Sequence, residues 1–524
     1  MQLNIDDRFN SELPADGNER NARRQVAKAA FSFVQPRRPS APRLLHASDE
    51  VAKLIGLTPE ETKSAEFLNV FSGAAVIDGT RPYAMCYGGH QFGSWAGQLG
   101  DGRAINLTEV QHDQQHWMLQ LKGAGETPYS RQGDGLAVLR SSIREHLCSE
   151  AMYHLGVPTS RSLCVVRTGD EVLRDVMYDG HPAMEPGAVV CRVAPSFIRF
   201  GSFEIFAFRN DVDTLQQLTD YTIRHHYPEI DVATKAGYAN FFHAVCRRTL
   251  DMVIHWQRVG FVHGVMNTDN MSIHGETIDY GPYGWLEGFD TKWTPNTTDA
   301  GRGRYCFGNQ PGIAFWNLQQ LASALYQLIG ETEPLISALQ EFQTEFGRRN
   351  IEMRAAKVGL DTVRPGDESL LDDLIEVLQL TETDMTIFYR RLADVVSSHT
   401  IDGSDEFLSP VRDAFYKPGE LTGNVLDRWR SWFDRYLTRL AENDSTDHER
   451  RTKMNQVNPK YVLRNYMAQL AIDQATQGDY SLIDELYQLL KHPYDEQPDQ
   501  EKWFAKRPDW ARHKVGCSML SCSS

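Results

Sequence analysis

The spacing of two residues, Asn270 and Asp279, narrows the folds open to this 524-residue chain more than any other feature. Asn270 ends the segment HGVMNTDN, and Asp279 opens an Asp-Tyr-Gly triplet nine residues later. An amide oxygen and a carboxylate oxygen on neighbouring loops are hard ligands, which Mg²⁺ or Mn²⁺ prefers when it is bound to nucleotide phosphates. The spacing therefore predicts a metal and nucleotide site built on Asn270 and Asp279.

Protein kinases use an asparagine and an aspartate in this way, in the motifs HRDxxxxN and DFG. His263 and Asn270 keep the kinase offset of seven residues. The position of the kinase catalytic aspartate, two residues after the histidine, is Val265, which cannot accept a proton. Asp269 is the nearest carboxylate that can, so we predict that Asp269 is the proton acceptor and that His263 is structural.

A lysine and a glutamate upstream match the remaining parts of a kinase-like site. Lys122 ends a predicted strand that begins at His116 and is apolar on both faces. Glu145 lies 23 residues further on, in a predicted helix that Asp134 is expected to cap and Gly156 to end. We expect an ion pair between Lys122 and Glu145, as in kinases.

A glycine-rich stretch, YGGHQFGSWAGQLGDGR at residues 87–103, precedes the lysine. Its glycines at 97, 100 and 102 do not follow the order GxGxxG. Because glycine has no side chain, the backbone there can approach a phosphate or a base closely. We therefore expect this stretch to contact the nucleotide.

The predicted elements change character along the chain. Short strands alternating with turns are predicted up to about residue 205, and helices from residue 213 onwards. The clearest helical patterns cover residues 240–257, 311–328, 370–395, 424–441, 457–476 and 480–491. This order predicts an α+β protein with two lobes and a site in the cleft between them.

We divide the chain into four expected parts. They are an N-terminal arm with a short helix (1–70), a β-rich lobe with the glycine-rich loop, the lysine strand and the glutamate helix (71–205), a lobe with the catalytic and metal loops (206–330), and a C-terminal helical extension (331–524). The extension carries no recognisable chemistry, and packing against the preceding lobe is its simplest role.

Composition restricts the partners and the location. The net charge of −16 disfavours a nucleic-acid binder, and no apolar run approaches the roughly 18 residues of a membrane helix. Eight cysteines are ordinary for a reducing compartment, and Cys517 and Cys522, both near the last residue, are expected to be mobile and exposed. The arginine-rich stretch 20–43 is similar to an organellar transit segment, but acidic residues precede it, so a cytoplasmic location is expected. Nothing in the sequence demands more than a monomer.

Eight segments resemble the selenoprotein O family, in its cysteine-containing bacterial form. They are YGGHQFGSWAGQLGDGR, LKGAGETPYSRQGDGLAVLRSSIRE, RVAPSFIRFGSFE, HGVMNTDNMSI, DYGPYGW, NQPGIAFWNLQ, VNPKYVLRN and SCSS. The resemblance implies a protein-kinase-like fold with a β-rich N-lobe and a helical C-lobe. It implies a protein adenylyltransferase that moves AMP from ATP to Ser, Thr or Tyr hydroxyls of protein substrates. Some bacterial members are described as using UTP with manganese.

The resemblance also assigns roles to residues of this sequence. Nucleotide contacts are implied for Gly100, Gly102, Arg103, Lys122, Glu145, Asp134, Gly135, Arg192, Arg199 and Asp279. Asp269 is implied as the proton acceptor, and Asn270 and Asp279 as ligands of Mg²⁺ or Mn²⁺. If ATP lies reversed, its α-phosphate faces the acceptor hydroxyl, and Arg192 and Arg199 can hold the inner β- and γ-phosphates.

The sequence departs from the family in one place. Family members that end in Cys-Ser-Ser are thought to pair this cysteine with another about 16 residues after the Asp-aromatic-Gly aspartate. Cys522 matches the first cysteine, but the second position is Pro295. Cys306 is the nearest alternative partner, and a free thiol at Cys522 is the other interpretation.

Three hypotheses about function stay open on the sequence. The first is the adenylyltransferase, which the replacement by Val265 and the retained metal ligands favour. The second is a kinase of proteins or small molecules that uses Asp269 as its base. The third is a pseudokinase scaffold that binds nucleotide without catalysis. The sequence does not distinguish ATP from UTP, Mg²⁺ from Mn²⁺, or one acceptor protein from another.

Overall fold

The structure is a computed structural model that describes residues 1–398, 401 and 404–521. Its strands are β1 (Phe31–Phe33), β2 (Arg43–Ala47), β3 (Tyr83–Met85), β4 (His90–Gln91), β5 (Ser94–Trp95), β6 (Ala104–His112), β7 (Gln115–Lys122), β8 (Ala137–Val138), β9 (Arg161–Arg174), β10 (Ala183–Ala194), β11 (Phe261–Val262) and β12 (Gly284–Trp285). Its helices are α1 (Phe9–Glu12), α2 (Asp49–Leu54), α3 (Ala65–Phe71), α4 (Leu139–His154), α5 (Phe200–Phe208), α6 (Val212–His226), α7 (Lys235–Val259), α8 (Gln310–Ile329), α9 (Glu333–Lys357), α10 (Asp367–Leu378), α11 (Met385–Leu392), α12 (Gly423–Leu440), α13 (Asp447–Val457), α14 (Asn465–Thr476) and α15 (Ser481–Leu490).

One antiparallel sheet organises the first part of the chain. Among the described residues, its strands follow the order β1-β3-β6-β7-β10-β9-β2, and β8 pairs with β10. The central strands are buried on both faces, which explains their nearly continuous apolar sequences. The predicted α+β class is confirmed, since this sheet comes first and helices follow it.

The strands between residues 160 and 195 are longer than predicted. Instead of several short strands, β9 has 14 residues and β10 has 12, and they form one long hairpin. Register places Arg192 opposite Gln120 and Val190 opposite Lys122. Since side chains alternate between the two faces of a strand, Gln120 and Lys122 share one face. The sheet thus brings Lys122 and Arg192 into the same region.

Helix α4 begins later than the sequence predicts. Asp134 does not cap it, because residues 137 and 138 pair with β10 as strand β8 before the helix starts at Leu139. Asp134 instead accepts a hydrogen bond from the backbone N–H of Leu136, at 3.0 Å, within a turn. Gly156 follows the helix with a φ of +73°, so the predicted glycine stop is confirmed.

Most of the later helical predictions are confirmed, with two breaks. Helix α7 covers the predicted span 240–257 and ends at Gly260, which has a φ of +74°. The predicted helix 370–395 is two helices, and Asp384 caps the second by accepting a hydrogen bond from the Ile387 N–H. The predicted helix 457–476 starts only at residue 465, because Asn458 is extended before Pro459.

Two hydrophobic cores hold the described chain together. The first joins the sheet to α4–α9 and to α14 and α15, and the second is built around α10–α13. The last two helices, α14 and α15, therefore contact α4, which the expected packing against the preceding lobe did not include. None of the helices in the described part of the chain has both the length and the hydrophobicity of a membrane span.

Candidate functional site

The predicted ion pair between Lys122 and Glu145 is present. The Lys122 ammonium, at the end of β7, lies 2.5 Å from a carboxylate oxygen of Glu145 in α4. The other oxygen of Glu145 lies 3.3 Å from Arg192 Nη1. All three side chains are buried, and burial lowers the pKa of Lys122 although the Glu145 carboxylate opposes this. One carboxylate therefore orients two cations that could face phosphate groups.

Asp279 lies between two buried arginines. Arg192 Nη1 is 2.5 Å from one carboxylate oxygen of Asp279, and Arg199 Nη1 is 2.5 Å from the other. Burial alone would raise the pKa of Asp279, but the guanidiniums of Arg199 and Arg192 hold it well below its usual value. Asp279 is therefore ionised at neutral pH. The two arginines, which the resemblance assigns to phosphates, contact Asp279 in this structure.

Asp269 has the environment of a proton acceptor. One carboxylate oxygen accepts a hydrogen bond from the Gln91 amide at 3.1 Å, while the other oxygen is buried without a hydrogen-bond partner in the described chain. Burial raises the pKa of Asp269 to about 7, against the opposing effects of Gln91 and Arg199. A general base works best when its pKa is close to the operating pH.

The backbone around Asp269 is closely packed on glycines. A side chain at Gly89 would place its Cβ 2.9 Å from the free Asp269 oxygen. A Cβ at Gly201, in α5, would lie 2.1 Å from the Gly88 carbonyl oxygen. Glycine at these positions lets the residue 88–89 backbone lie directly against the loop that carries Asp269.

The loop between His263 and Asn270 is held by its own polar groups. His263 accepts a hydrogen bond from the Val265 N–H at Nδ1, and its Nε2 donates to the Ile278 carbonyl at 2.9 Å. Burial lowers the pKa of His263, and both ring nitrogens bind backbone groups, which agrees with the predicted structural role. The Asn270 amide donates to the Val265 carbonyl at 2.9 Å and leaves its own oxygen free of hydrogen bonds from described residues.

These residues fit a divalent cation that shares its coordination with a nucleotide. Among the residues that the structure describes, no group of three or more His, Cys, Asp or Glu side chains could hold a metal alone. Mg²⁺ commonly takes only one or two protein oxygens and completes its shell with water and phosphate. The free Asn270 oxygen and the ionised Asp279 carboxylate match that requirement, provided that Asp279 yields an oxygen from its arginine contacts.

The glycine-rich loop packs beneath the same region. Gly100 has a φ of +85°, and a Cβ there would overlap the Tyr129 ring. A Cβ at Gly102 would lie 2.9 Å from the Tyr129 carbonyl oxygen. Arg103 lies near enough to Lys122 to lower its pKa. The loop is thus fixed by close packing on one side.

The Asp134 and Gly135 pair lies in a different setting. The Asp134 carboxylate pairs with Arg174, at 2.8 Å, near the far end of β9. The Gly135 carbonyl accepts a hydrogen bond from Gly125, and a Cβ at Gly135 would overlap the Gly125 carbonyl. In the described chain neither residue contacts Lys122, Glu145 or the two arginines.

Comparison with known proteins identifies the family of this chain. A family model described as "Protein adenylyltransferase SelO" matches residues 18–491. The chain belongs to the SelO family. The resemblance drawn from the sequence is therefore confirmed, and the chain is a nucleotidyltransferase by family, with a nucleotide co-substrate.

Relatives match the SelO chain along its whole length. The "Protein nucleotidyltransferase YdiU" of Flavobacterium johnsoniae is 61% identical over 522 residues, which cover 100% of this chain and 99% of the relative. The protein of the same name from Rhodopirellula baltica is 56% identical, with 100% of both chains covered. The one from Aromatoleum aromaticum is 54% identical and covers 100% of this chain and 99% of its own.

Several residues that line the candidate site were not identified from the sequence. Asp101 is buried, and its free oxygen lies 4.0 Å from Arg199 Nη2. Gln120 accepts a hydrogen bond from Arg192, and the Tyr87 ring lies 4.4 Å from the Arg199 guanidinium carbon. Gln120 could have been found from its position two residues before Lys122 in a strand. Asp101 lies inside the glycine-rich motif but had no signal that distinguished it.

The described cysteines of the SelO chain are free and buried. Cys517 is 3% exposed, so the prediction that it is exposed was wrong. The chain is held in place there, since the Asn465 amide donates a hydrogen bond to the Cys517 carbonyl at 2.8 Å. Cys306 is buried, and burial raises its pKa. Cys522 lies outside the described residues. The chain just before it passes Pro295, whose carbonyl accepts a hydrogen bond from Leu520 at 3.3 Å.

Proposed function

We propose that this SelO-family chain transfers AMP from ATP to a Ser, Thr or Tyr hydroxyl of a protein substrate. The observation that carries the proposal is the cluster of Lys122, Arg192 and Arg199 around Asp279, next to a catalytic loop with Asp269 in place of the kinase base. Two buried guanidiniums suit phosphate oxygens, because their fork-shaped donors match the geometry of these acceptors.

The proposed reaction is an in-line displacement at the α-phosphorus. The acceptor oxygen forms a bond to this phosphorus, the bond from it to the bridging oxygen breaks, and pyrophosphate leaves. The Asp269 carboxylate takes the proton of the acceptor hydroxyl. Lys122, Arg192 and Arg199 hold the β- and γ-phosphates at the inner end of the site, so that ATP lies reversed relative to kinases.

Asn270 and Asp279 would hold Mg²⁺ or Mn²⁺. A bound cation of this kind supplies positive charge to phosphate oxygens as negative charge develops on the leaving group. Gly100, Gly102 and Arg103 are proposed to contact the nucleotide from the glycine-rich loop, Glu145 to orient Lys122, and Asp134 with Gly135 to reach the nucleotide from the neighbouring loop.

The proposed architecture is a kinase-like pair of lobes. The support is a lysine at the end of a sheet strand paired with a glutamate of the following helix, which is the kinase arrangement. The division at residues 70, 205 and 330 remains part of the proposal. A cytoplasmic location and a monomeric state are also part of the proposal, and the free thiols of the described cysteines suit the cytoplasm. Cys522 is proposed either to pair with Cys306 or to remain a free thiol.

Isotope position distinguishes this proposal from the kinase alternative. The purified full-length chain is incubated with Mg²⁺ or Mn²⁺ and with ATP labelled at the α- or the γ-phosphate, in parallel with α-labelled UTP, and protein-bound label is measured. Label from the α-position, lost in Asp269→Asn, is the expected result. Label from the γ-position alone would support the kinase, and nucleotide binding without any transfer would support the scaffold.

A further inference from the structure

An aromatic pair is exposed at the surface beside the catalytic loop. Phe208, the last residue of α5, is 67% exposed, the highest value among the large hydrophobic side chains of the described chain. Its ring stacks on Trp95 of β5, with 4.5 Å between the ring centroids. Aromatic residues and arginine are enriched in protein–protein interfaces relative to the rest of the surface.

The pair continues into a longer row of rings that ends in a cation. Trp95 lies 5.2 Å from the His90 ring, and His90 meets Trp316 of α8 edge-on at 5.5 Å. The Arg304 guanidinium lies over the Trp316 ring, 4.8 Å from its centroid. We call Phe208, Trp95, His90, Trp316 and Arg304 the aromatic row.

Arg304 forms no ion pair within the described ranges, and its Nε is buried without a hydrogen-bond partner. The neighbouring Asp299 carboxylate is held instead by the backbone N–H groups of Arg304 and Tyr305, at 3.0 and 2.7 Å. Its guanidinium packs under Gly93, where a Cβ would lie 3.3 Å from the guanidinium carbon. A half-buried guanidinium that is held by an aromatic face and forms no ion pair is complementary to an acidic side chain from another molecule.

The aromatic row is continuous with the proposed catalytic centre. Gln91, between His90 and the β4–β5 turn, donates to the Asp269 carboxylate at 3.1 Å. The His90 N–H donates to Thr268 Oγ1 at 2.7 Å, and Thr268 donates to Glu204, which also contacts the His90 ring. The β4–β5 hairpin thus contacts Asp269 through Gln91 and carries two rings of the aromatic row, His90 and Trp95.

We propose that the aromatic row docks the acceptor segment of the protein substrate. The occupant is an extended segment with an aromatic or large aliphatic side chain on Phe208 and Trp95 and with an aspartate or glutamate on Arg304. Its acceptor hydroxyl lies between these two anchors and is directed towards the Asp269 carboxylate. The inference rests on the proposed function and adds to it the sequence preference of the acceptor.

Binding of peptides tests the docking independently of nucleotide transfer. Fluorescein-labelled peptide pools carry one central Ser, Thr or Tyr, flanked at randomised positions by aromatic and acidic residues, by alanine, or by aromatic and basic residues. Fluorescence anisotropy measures their affinity for the full-length chain with a nonhydrolysable ATP analogue. The aromatic and acidic pool should bind at least roughly tenfold more tightly than the alanine pool.

Two variants assign the preference to the row. Phe208→Ala should remove the preference for aromatic residues, and Arg304→Glu should reverse the preference from acidic to basic pools. Matched controls on other exposed sites are Ile336→Ala in α9 and Lys63→Glu, which belong to none of these contacts. The affinity for the ATP analogue, measured by calorimetry, should remain unchanged in both row variants.

Equal binding of all pools, or an unchanged charge preference in Arg304→Glu, would overturn the docking proposal. The same peptides are then incubated with α-labelled ATP. Selective binding without label transfer would support the aromatic row and contradict the proposed chemistry. Label transfer without any preference among the pools would support the chemistry and overturn the aromatic row.

Discussion

The Arg199 guanidinium lies 2.5 Å from the Asp279 carboxylate, and the side chain of Arg199 is 1% exposed. The same nitrogen also donates to the backbone carbonyl of Asp269 at 2.8 Å. Arg199 therefore connects the proposed metal ligand to the loop of the proposed proton acceptor. A nucleotide that draws Arg199 towards its phosphates would affect both.

Lysine substitutions test whether the two arginines hold phosphates. Arg192→Lys and Arg199→Lys keep the charge but lose the two-pronged donor, so we expect each to weaken ATP binding by roughly tenfold or more. Calorimetric titration with an ATP analogue measures this. Arg439→Lys, in a buried pair with Asp367 of the second core, is the matched control and should leave the affinity unchanged. Wild-type affinity in both site variants would contradict the assignment.

Glu145 should contribute more to stability than Lys122 does. Glu145 contacts two cations, whereas Lys122 has Glu145 as its ion-pair partner in the described chain. Glu145→Gln should lower the free energy of unfolding by about 3–5 kcal/mol, because Lys122 is left buried and unpaired. Lys122→Met should cost less, since Glu145 keeps Arg192. Urea unfolding followed by near-ultraviolet circular dichroism compares the two, and a larger loss in Lys122→Met would refute the prediction.

The rate of transfer should rise with pH up to about 7 and then level, because Asp269, with a pKa of about 7, must be ionised to accept a proton. Single-turnover transfer from α-labelled ATP across this range measures it. Asp269→Asn should be nearly inactive at every pH. A flat profile in the wild type would argue against Asp269 as the acceptor.

The same group should affect stability with the opposite sign. Since the folded pKa of Asp269 exceeds the usual value of about 3.9, the folded protein keeps a proton that the unfolded chain releases. The bound proton therefore stabilises the folded state; this stabilisation is fully present below pH about 4 and is lost as the pH rises to about 7. Asp269→Asn should therefore flatten that part of the stability profile in urea unfolding. An identical profile in both proteins would show that Asp269 is not perturbed.

Gly201→Ala should separate chemistry from nucleotide binding. A Cβ at Gly201 would collide with the Gly88 carbonyl at 2.1 Å, so it must displace the residue 88–89 backbone that lies against the catalytic loop. Overpacking of this kind costs about 1–3 kcal/mol. We expect a lower turnover rate with nearly unchanged ATP affinity. Gly312→Ala, in α8 with open space around its Cβ, is the control and should behave as wild type.

Much of the local structure could be predicted because it depends on short-range patterns. Strand β7 and helix α7 follow from periodicity, and Gly156 and Gly260 end helices because glycine accepts a positive φ. The Lys122–Glu145 pair could be predicted from chain order. The start of α4 could not, because pairing of residues 137 and 138 with β10 overrides the capping tendency of Asp134.

The amino-acid sequence by itself determined the family, the α+β class and the residue types available for catalysis, since these depend on motifs and on neighbours along the chain. Only the tertiary structure decided which of them meet. Arg192 and Asp279 are 87 residues apart in sequence, and Phe208 reaches Trp95 from a different element. Such contacts depend on strand register and helix packing, and no local pattern of charge or hydrophobicity specifies them.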